Sequence, residues 1–169
     1  MKTSQSQPTL LAHIRDIIIL PFTVTVVVPY LIHSREQPFF SDSIILKMSG
    51  IIFFTFGLFL FFYTVYLFNT FGKGTLAPWA ATRRLVVYGP YRYCRNPMIT
   101  GVFCILIGET LFLHSMNLLF WSMAFFLINS IYFILKEEPD LEKRFGNDYK
   151  VYKENVPRWI PRLKAYSKS

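Results

Sequence analysis

Residues 48–68 read MSGIIFFTFGLFLFFYTVYLF, a run of 21 residues without a charged side chain. An α-helix of that length rises about 30 Å, which matches the hydrocarbon core of a bilayer. The rest of the composition agrees, because 53% of the 169 residues are hydrophobic, 18 are Phe and the mean hydropathy is +0.35. A soluble domain of this size would leave large apolar patches in water. The run therefore predicts a transmembrane helix, and the composition predicts an integral membrane protein.

Three further apolar blocks have spanning character: residues 17–32, 97–113 and 116–135. The first rises only about 24 Å and contains Pro21 and Pro29, so we expect kinks whose freed carbonyls are satisfied by neighbouring helices. Residues 97–113, the third span in chain order, contain one acid, Glu109, and residues 116–135, the fourth span, contain no charged residue. The expected fold is all-α, with about four transmembrane helices in a single domain over residues 1–169.

Two polar segments should lie on one side of the membrane. Only His114 and Ser115 separate the third and fourth spans, which predicts a tight antiparallel hairpin. The loop 69–96 carries five basic and no acidic residues, and the tail 136–169 carries nine basic and six acidic residues. The positive-inside rule places both segments, and both termini, in the cytoplasm. The small size and the lack of a targeting signal favour a bacterial inner membrane.

An apolar stripe marks the tail as folded. Its members recur at three- and four-residue spacing, as on a helix that lies on the bundle or at the interface: Leu141, Phe145, Tyr149, Tyr152 and Val156. Pro157 and Pro161 should end this C-terminal amphipathic helix.

Several binding classes are disfavoured. The net charge of +8 is distributed between apolar blocks, as in membrane proteins, so it does not indicate nucleic-acid binding. Cys94 and Cys104 lack a metal-site or disulfide pattern, and we interpret them as structural thiols without a metal. The three histidines sit apart at span ends and are interpreted as interfacial.

The segment 89–97, GPYRYCRNP, is the most informative polar stretch. Asn96 before Pro97 predicts a helix start, with Asn capping the free amides and Pro at the first helical position. Arg95 would then lie beside the positive end of the third span, a suitable place to hold an anionic group. The alternative is an ordinary interfacial anchor of Arg and Tyr.

Glu137 and Glu138 follow the fourth span directly, where adjacent carboxylates are costly unless they meet cations or polar ligands. The hairpin should bring them beside Arg95 and Asn96. Carboxylates, amides and aromatic rings together suit a zwitterionic sulfonium ligand whose adenine stacks on an apolar wall. The alternative is a solvated first turn of a helix, where acids favour the dipole.

These residues resemble the integral-membrane methyltransferases related to isoprenylcysteine carboxyl methyltransferase and to the phospholipid N-methyltransferases. The resemblance covers about the last hundred residues. It rests on Leu85-Val86, the segment 89–97, Gly101, Gly108-Glu109, Glu137-Glu138-Pro139, Phe145-Gly146, Tyr149, Tyr152 and Val156-Pro157-Arg158.

The resemblance implies that S-adenosylmethionine binds at the cytoplasmic face and that a lipophilic substrate or membrane lipid enters from the bilayer. By position, the residues implied to bind the cofactor are Leu85, Val86, Tyr91, Asn96, Pro97, Glu137 and Glu138. Arg95 and the intramembrane Glu109 are the candidate catalytic residues, although a structural Glu109 is an equal alternative.

Two positions depart from the family pattern. Ile99 stands where an aromatic residue is common, and Phe133 stands where the prenylcysteine enzymes have an arginine that orients the substrate carboxylate. Without that cation a carboxylate would be poorly aimed, so prenylcysteine carboxyl methylation is the disfavoured alternative. A non-enzymatic membrane scaffold that binds anionic lipid through the basic loop is the other alternative.

Overall fold

A computed structural model describes residues 18–33, 43–72 and 85–167, and in these ranges every regular element is helical. A π-helical segment, Ile18–Val27, leads into α1, and longer helices follow. In chain order they are α1 (Val28–His33), α2 (Ile44–Leu67), α3 (Pro97–Leu113), α4 (Met116–Tyr132), α5 (Glu138–Phe145) and α6 (Asn147–Asn155). The predicted all-α architecture is confirmed for these residues. Lys2, Arg15, Lys73, Arg83 and Arg84, on which the predicted orientation partly rests, lie outside them.

Two helical stretches are long and apolar enough to cross a membrane. The first is Ile44–Gly72, in which α2 continues as the π-helical turn Phe68–Gly72. The second is Met116–Phe145, in which a π-helical turn, Phe133–Glu137, joins α4 to α5. Pro21–His33 and Pro97–Leu113 are apolar but shorter. The second and fourth of the four expected spans are therefore present as helices long enough to cross a membrane.

Paired glycines bring α2 and α3 into backbone contact. On α2 they are Gly50 and Gly57, and on α3 they are Gly101 and Gly108, so both pairs are seven residues apart. A Cβ atom on Gly57 would lie 2.6 Å from the carbonyl oxygen of Gly101, and one on Gly108 would lie 2.6 Å from the backbone nitrogen of Phe54. No real side chain fits at these distances, so glycine is required for this close antiparallel approach.

The hairpin between α3 and α4 forms as predicted. His114 adopts a left-handed conformation (φ 55°, ψ 34°) that ends α3, and the side chain of Ser115 accepts a hydrogen bond from the Leu118 amide at 3.1 Å. Deeper in the hairpin, the buried hydroxyls of Thr110 and Ser122 are 3.3 Å apart. This turn folds α4 back along α3 and brings its far end beside the start of α3.

The helix formed by the π-helical segment Ile18–Val27 and α1, called the first helix below, accommodates two prolines. In π-helical winding the carbonyl of Val24 would pair with the N–H of residue 29, which Pro29 lacks. The indole of Trp121 on α4 donates to that carbonyl instead, at 3.1 Å. The expectation that a neighbouring helix satisfies freed carbonyls is thus confirmed at Val24.

The tail contains two helices rather than the single one that was predicted. Gly146 has φ 56° and separates α5 from α6, because a positive φ cannot continue a right-handed helix. The predicted stripe still forms one apolar cluster. Tyr149, Tyr152 and Val156 are its buried members, and the partly buried residues packed against them are Leu85, Val87, Leu141, Phe145 and Tyr166.

Candidate active site

A cavity of about 760 Å³ lies where the start of α3, the end of α4 and the tail meet. Arg95, Asn96 and Glu137, which the hairpin was expected to bring together, all line it, and so do Leu85, Val86 and Tyr91, which the resemblance assigned to the site. Pro97 is fully buried at the first position of α3 and does not itself line the cavity. The structure therefore brings most of the expected site residues together around one space.

Asn96 and Arg95 present buried polar atoms that have no protein partner. Asn96 is at the N-cap of α3 and Pro97 at the first helical position, but the Asn96 side chain makes no capping hydrogen bond. The capping role predicted for that side chain is therefore wrong. Its Nδ2 atom and the Nε atom of Arg95 are buried without a hydrogen-bond partner among the described residues. Since unpartnered buried donors are costly, both atoms are suited to an acceptor on a bound ligand.

Glu137 is one of two carboxylates, with Asp140, that line the cavity. It lies at the end of the π-helical turn after α4, and the Tyr132 hydroxyl is 3.5 Å from its Oε2 atom. Burial raises the pKa of Glu137, and its neighbours only partly offset this effect. A positively charged group or a hydroxyl of a ligand would stabilise the ionised form here.

Glu138 points away from this space and forms the centre of a buried ion cluster. Its carboxylate is 2.9 Å from Arg95 Nη1 and 3.4 Å from Lys153 Nζ, and it accepts a 2.6 Å hydrogen bond from Arg158 Nε. Burial alone would raise the pKa of Glu138, but the hydrogen bond from Arg158 and the charges of Arg95 and Arg158 hold it below its ordinary value. Glu138 therefore holds Arg95 in place and does not itself line the cavity.

An apolar wall forms the side opposite these polar groups. Val86 and Tyr91 are buried, and the Tyr91 ring packs on Phe68 at a centroid distance of 5.4 Å. The Tyr152 hydroxyl donates to the Tyr91 carbonyl at 2.6 Å, which fixes α6 against this wall. Burial raises the pKa of Tyr91 well above its ordinary range, so the phenol is neutral and serves as a flat apolar surface.

The cavity also extends deep along α4. Along the continuous helical stretch Met116–Phe145, its lining residues begin at Trp121 and continue past Glu137. These two residues are about 24 Å apart at 1.5 Å per residue. The deep end is apolar, with Val24, Phe61, Val102 and Phe125 around Trp121. Asn129 lies midway, and one N–H of its side-chain amide donates to the Phe125 carbonyl of its own helix at 2.8 Å.

Glu109 is not part of this cavity. It lines a second, apolar cavity of about 300 Å³ between α2 and α3, with Gly50, Phe54 and Phe112 among its neighbours. The two cavities share no lining residue. Glu109 lies seven residues beyond Val102, which is about 10 Å further along α3. The structure thus does not bring this candidate catalytic acid to the other site residues.

Sequence reasoning did not place Tyr149 and Tyr152 in the cavity wall, although both line it. They were recognised as members of the tail stripe and of the family resemblance, but neither assigned them to the site, because a helical period indicates a buried face and not what that face adjoins. Asp140, Lys143 and Arg144 also line the polar end, and no pattern in the sequence separates them from other tail charges.

Among residues 18–33, 43–72 and 85–167, no three His, Cys, Asp or Glu side chains lie close enough together to bind a metal ion. The two cysteines are free and buried, and burial raises the pKa of Cys94 to about 11. This thiol is therefore protonated near neutral pH, as expected for a structural cysteine.

Comparison with known proteins identifies the family. The family model for phospholipid methyltransferases matches residues 45–148, more than half of the chain. The chain belongs to the phospholipid methyltransferase family. The matched region holds α2, α3, α4, α5 and the polar residues of the cavity, so membership implies a membrane methyltransferase.

One relative is an uncharacterized protein of Haemophilus influenzae. It is 33% identical over 63 residues, which are 37% of this chain and 100% of that protein. No solved structure matches this phospholipid methyltransferase family member.

Proposed function

We propose that this protein transfers a methyl group from S-adenosylmethionine to a lipophilic small molecule or lipid head group at the cytoplasmic face of a bacterial inner membrane. The observation that carries the proposal is the single elongated cavity, which is polar at one end and apolar at the other. Membership in the phospholipid methyltransferase family supports the reaction class. The proposed topology has four spans, with both termini in the cytoplasm, following the distribution of positive charge.

The polar end suits the methyl donor. In the proposal, Arg95 and Asn96 bind acceptor atoms of the cofactor, since each has a buried donor without a partner. Glu137 binds its amino or hydroxyl groups, and Leu85, Val86 and Tyr91 form the wall for its adenine. When bound, S-adenosylmethionine supplies an electrophilic methyl group on a sulfonium. The protein contributes orientation and the exclusion of water, which lower the barrier of a displacement most effectively in a closed, apolar site.

The apolar end suits the methyl acceptor. Ile128 lies on the cavity face of α4 and is 62% exposed, so the cavity is open at this position, and in the proposal this opening faces lipid. In the proposal, a lipophilic acceptor enters at this side and places its reactive head toward Glu137. Phe133 contributes an aromatic ring to the wall at the position where a substrate carboxylate would need a cation, so the proposal excludes prenylcysteine carboxylates.

Calorimetry with S-adenosylhomocysteine in detergent tests the cofactor site. The wild-type protein should bind it saturably. Asn96→Ala and Glu137→Ala should each weaken binding at least about tenfold, the cost of a lost charge-assisted or buried hydrogen bond. Asn129→Ala is the matched control, because it removes an amide from the same cavity at a position to which the proposal gives no cofactor contact. A well-folded protein that does not bind would refute the enzyme and favour the lipid-binding scaffold.

A transfer assay tests the acceptor. Labelled S-adenosylmethionine should methylate a lipid-soluble component of native membrane extracts, and an S-prenylated cysteine analogue should remain unlabelled. Labelling of the prenylcysteine analogue with comparable efficiency would contradict the assignment based on Phe133.

A further inference from the structure

The C-terminal strap, residues 157–167, lies outside the region that the family model matches, and the cofactor site does not explain it. We propose that this strap is an interfacial element that inserts apolar side chains into the bilayer and binds anionic lipid head groups. The proposal concerns a surface and not the reaction, so it stands or falls separately from methyl transfer.

Trp159 gives the depth of the strap. Its ring contacts Phe126 and Phe133 of the α4 stretch, at centroid distances of 5.0 Å and 5.9 Å. These two residues precede Lys136, the first charge after α4, by ten and three positions, about 15 Å and about 4.5 Å along the helix. Trp159 therefore lies below the polar boundary, on the outer side of the helices and within the apolar layer.

The residues beside Trp159 present apolar surface outward. Ile160 is 80% exposed and Leu163 is 100% exposed. On another face of the α4 stretch, Leu127, Ile131 and Leu135 are 60%, 55% and 72% exposed, as expected for a helix that faces lipid. Two large aliphatic side chains in water next to a lipid-facing helix would be unfavourable, whereas at this depth acyl chains cover them.

The charge of the strap selects the head group. Residues 157–167 contain Arg158, Arg162 and Lys164 and no acid. Arg158 is held by Glu138, and half-buried Arg162 donates through Nη1 to the Asn155 carbonyl at 2.6 Å, a contact that leaves its charge without a counterion there. Lys164 is the exposed cation, so Arg162 and Lys164 are the two cations proposed to attract lipid. Basic residues directly above inserted apolar side chains attract anionic lipids, and the attraction is screened by salt.

The strap is also held in one conformation, which favours a specific surface over a loose tail. Its backbone runs antiparallel to the segment before α3. The Arg95 amide donates to the Pro157 carbonyl at 2.9 Å, and the Arg162 and Tyr166 amides donate to the Tyr93 and Arg92 carbonyls at 3.0 Å and 2.9 Å. The Arg92 side chain closes the far end with a 2.6 Å hydrogen bond to the Tyr166 carbonyl.

Quenching of Trp159 by brominated lipids tests the proposal on the full chain. Trp79→Phe and Trp121→Phe leave Trp159 as the only tryptophan, and the protein is reconstituted into vesicles of phosphatidylcholine with a minor fraction of phosphatidylglycerol. Bromine on the acyl chains of phosphatidylglycerol should quench Trp159 at least about twofold more than the same fraction of brominated phosphatidylcholine. High salt, about 1 M, should remove this preference without any further substitution.

Two matched variants complete the design. The preference should disappear in Arg162→Gln/Lys164→Gln, while quenching as such persists. A chain with Trp121 as its only tryptophan should show no preference, because Trp121 lies between α4 and the first helix. Absence of quenching by either lipid would overturn insertion of the strap, and equal quenching by both at low salt would overturn its selectivity for anionic lipid.

Discussion

Arg95 and Glu138 form a buried ion pair, with Nη1 and Oε1 2.9 Å apart and side-chain exposures of 9% and 4%. The pair connects the segment before α3 to the start of α5, two parts of the chain that the α3–α4 hairpin brings together. Because Arg95 also lines the large cavity, Glu138 determines how that guanidinium is presented to a ligand. Glu138 is thus a positioning residue, whereas its neighbour Glu137 lines the cavity itself.

Replacement of Glu138 by Gln should destabilise the protein and weaken cofactor binding together. Removing one partner of a buried ion pair typically costs about 3 kcal/mol, because the remaining charges stay buried. Thermal unfolding in detergent measures the first effect, and calorimetry with S-adenosylhomocysteine measures the second. The exposed Glu154→Gln is the control and should change neither. Unchanged affinity in a stable Glu138→Gln protein would show that Arg95 does not depend on this pair.

Stability should fall in acid through the same carboxylate. The pKa of Glu138 in the folded protein lies below its ordinary value of 4.5, so its contribution is complete above that value. The contribution is lost as the pH falls from about 4.5 through the lowered folded-state pKa. Unfolding midpoints measured from pH 7 to pH 3 should show this loss in the wild type. The difference between wild type and Glu138→Gln should shrink over the same interval; a constant difference would refute the assignment.

Glu109→Gln should leave cofactor binding unchanged, because Glu109 lines a separate cavity and shares no lining residue with the proposed site. We expect a dissociation constant for S-adenosylhomocysteine within about twofold of the wild type, well below the tenfold that corresponds to 1.4 kcal/mol. Methyl transfer should also persist. Loss of transfer with unchanged binding and stability would instead support the catalytic role considered for this acid.

Gly57→Ala should destabilise the α2–α3 pair. The added methyl group would lie 2.6 Å from the Gly101 carbonyl oxygen and 2.7 Å from the Ile105 nitrogen, both backbone atoms that cannot move aside cheaply. The free energy of unfolding should fall by about 1–3 kcal/mol, the usual cost of overpacking. Ile52→Val on the exposed side of the same helix is the control. Equal unfolding midpoints for the two variants would contradict the close approach of these helices.

The sequence by itself determined the helices and the turn between them. Residues 97–113 and the two-residue connection at His114 and Ser115 could be predicted because the signals are local: an Asn-Pro start and long apolar runs on both sides of the connection. Once that hairpin was expected, the meeting of Arg95 with the Glu137–Glu138 pair followed from geometry. Leu85, Val86 and Tyr91 were expected at the site only because of the family resemblance. Asp140, Lys143 and Arg144 were not expected there at all.

Only the tertiary structure decided which of these groups faces the cavity. Glu137 and Glu138 are adjacent in sequence, but neighbouring positions on a helix point about 100° apart, so one lines the cavity and the other binds cations behind it. Glu109 sits on a helix of the site yet belongs to another cavity, because depth along α3 separates it from Val102. The fold of the strap against the segment 92–95 depends on contacts between distant parts of the chain. Local residue patterns do not encode such contacts, and packing decides them.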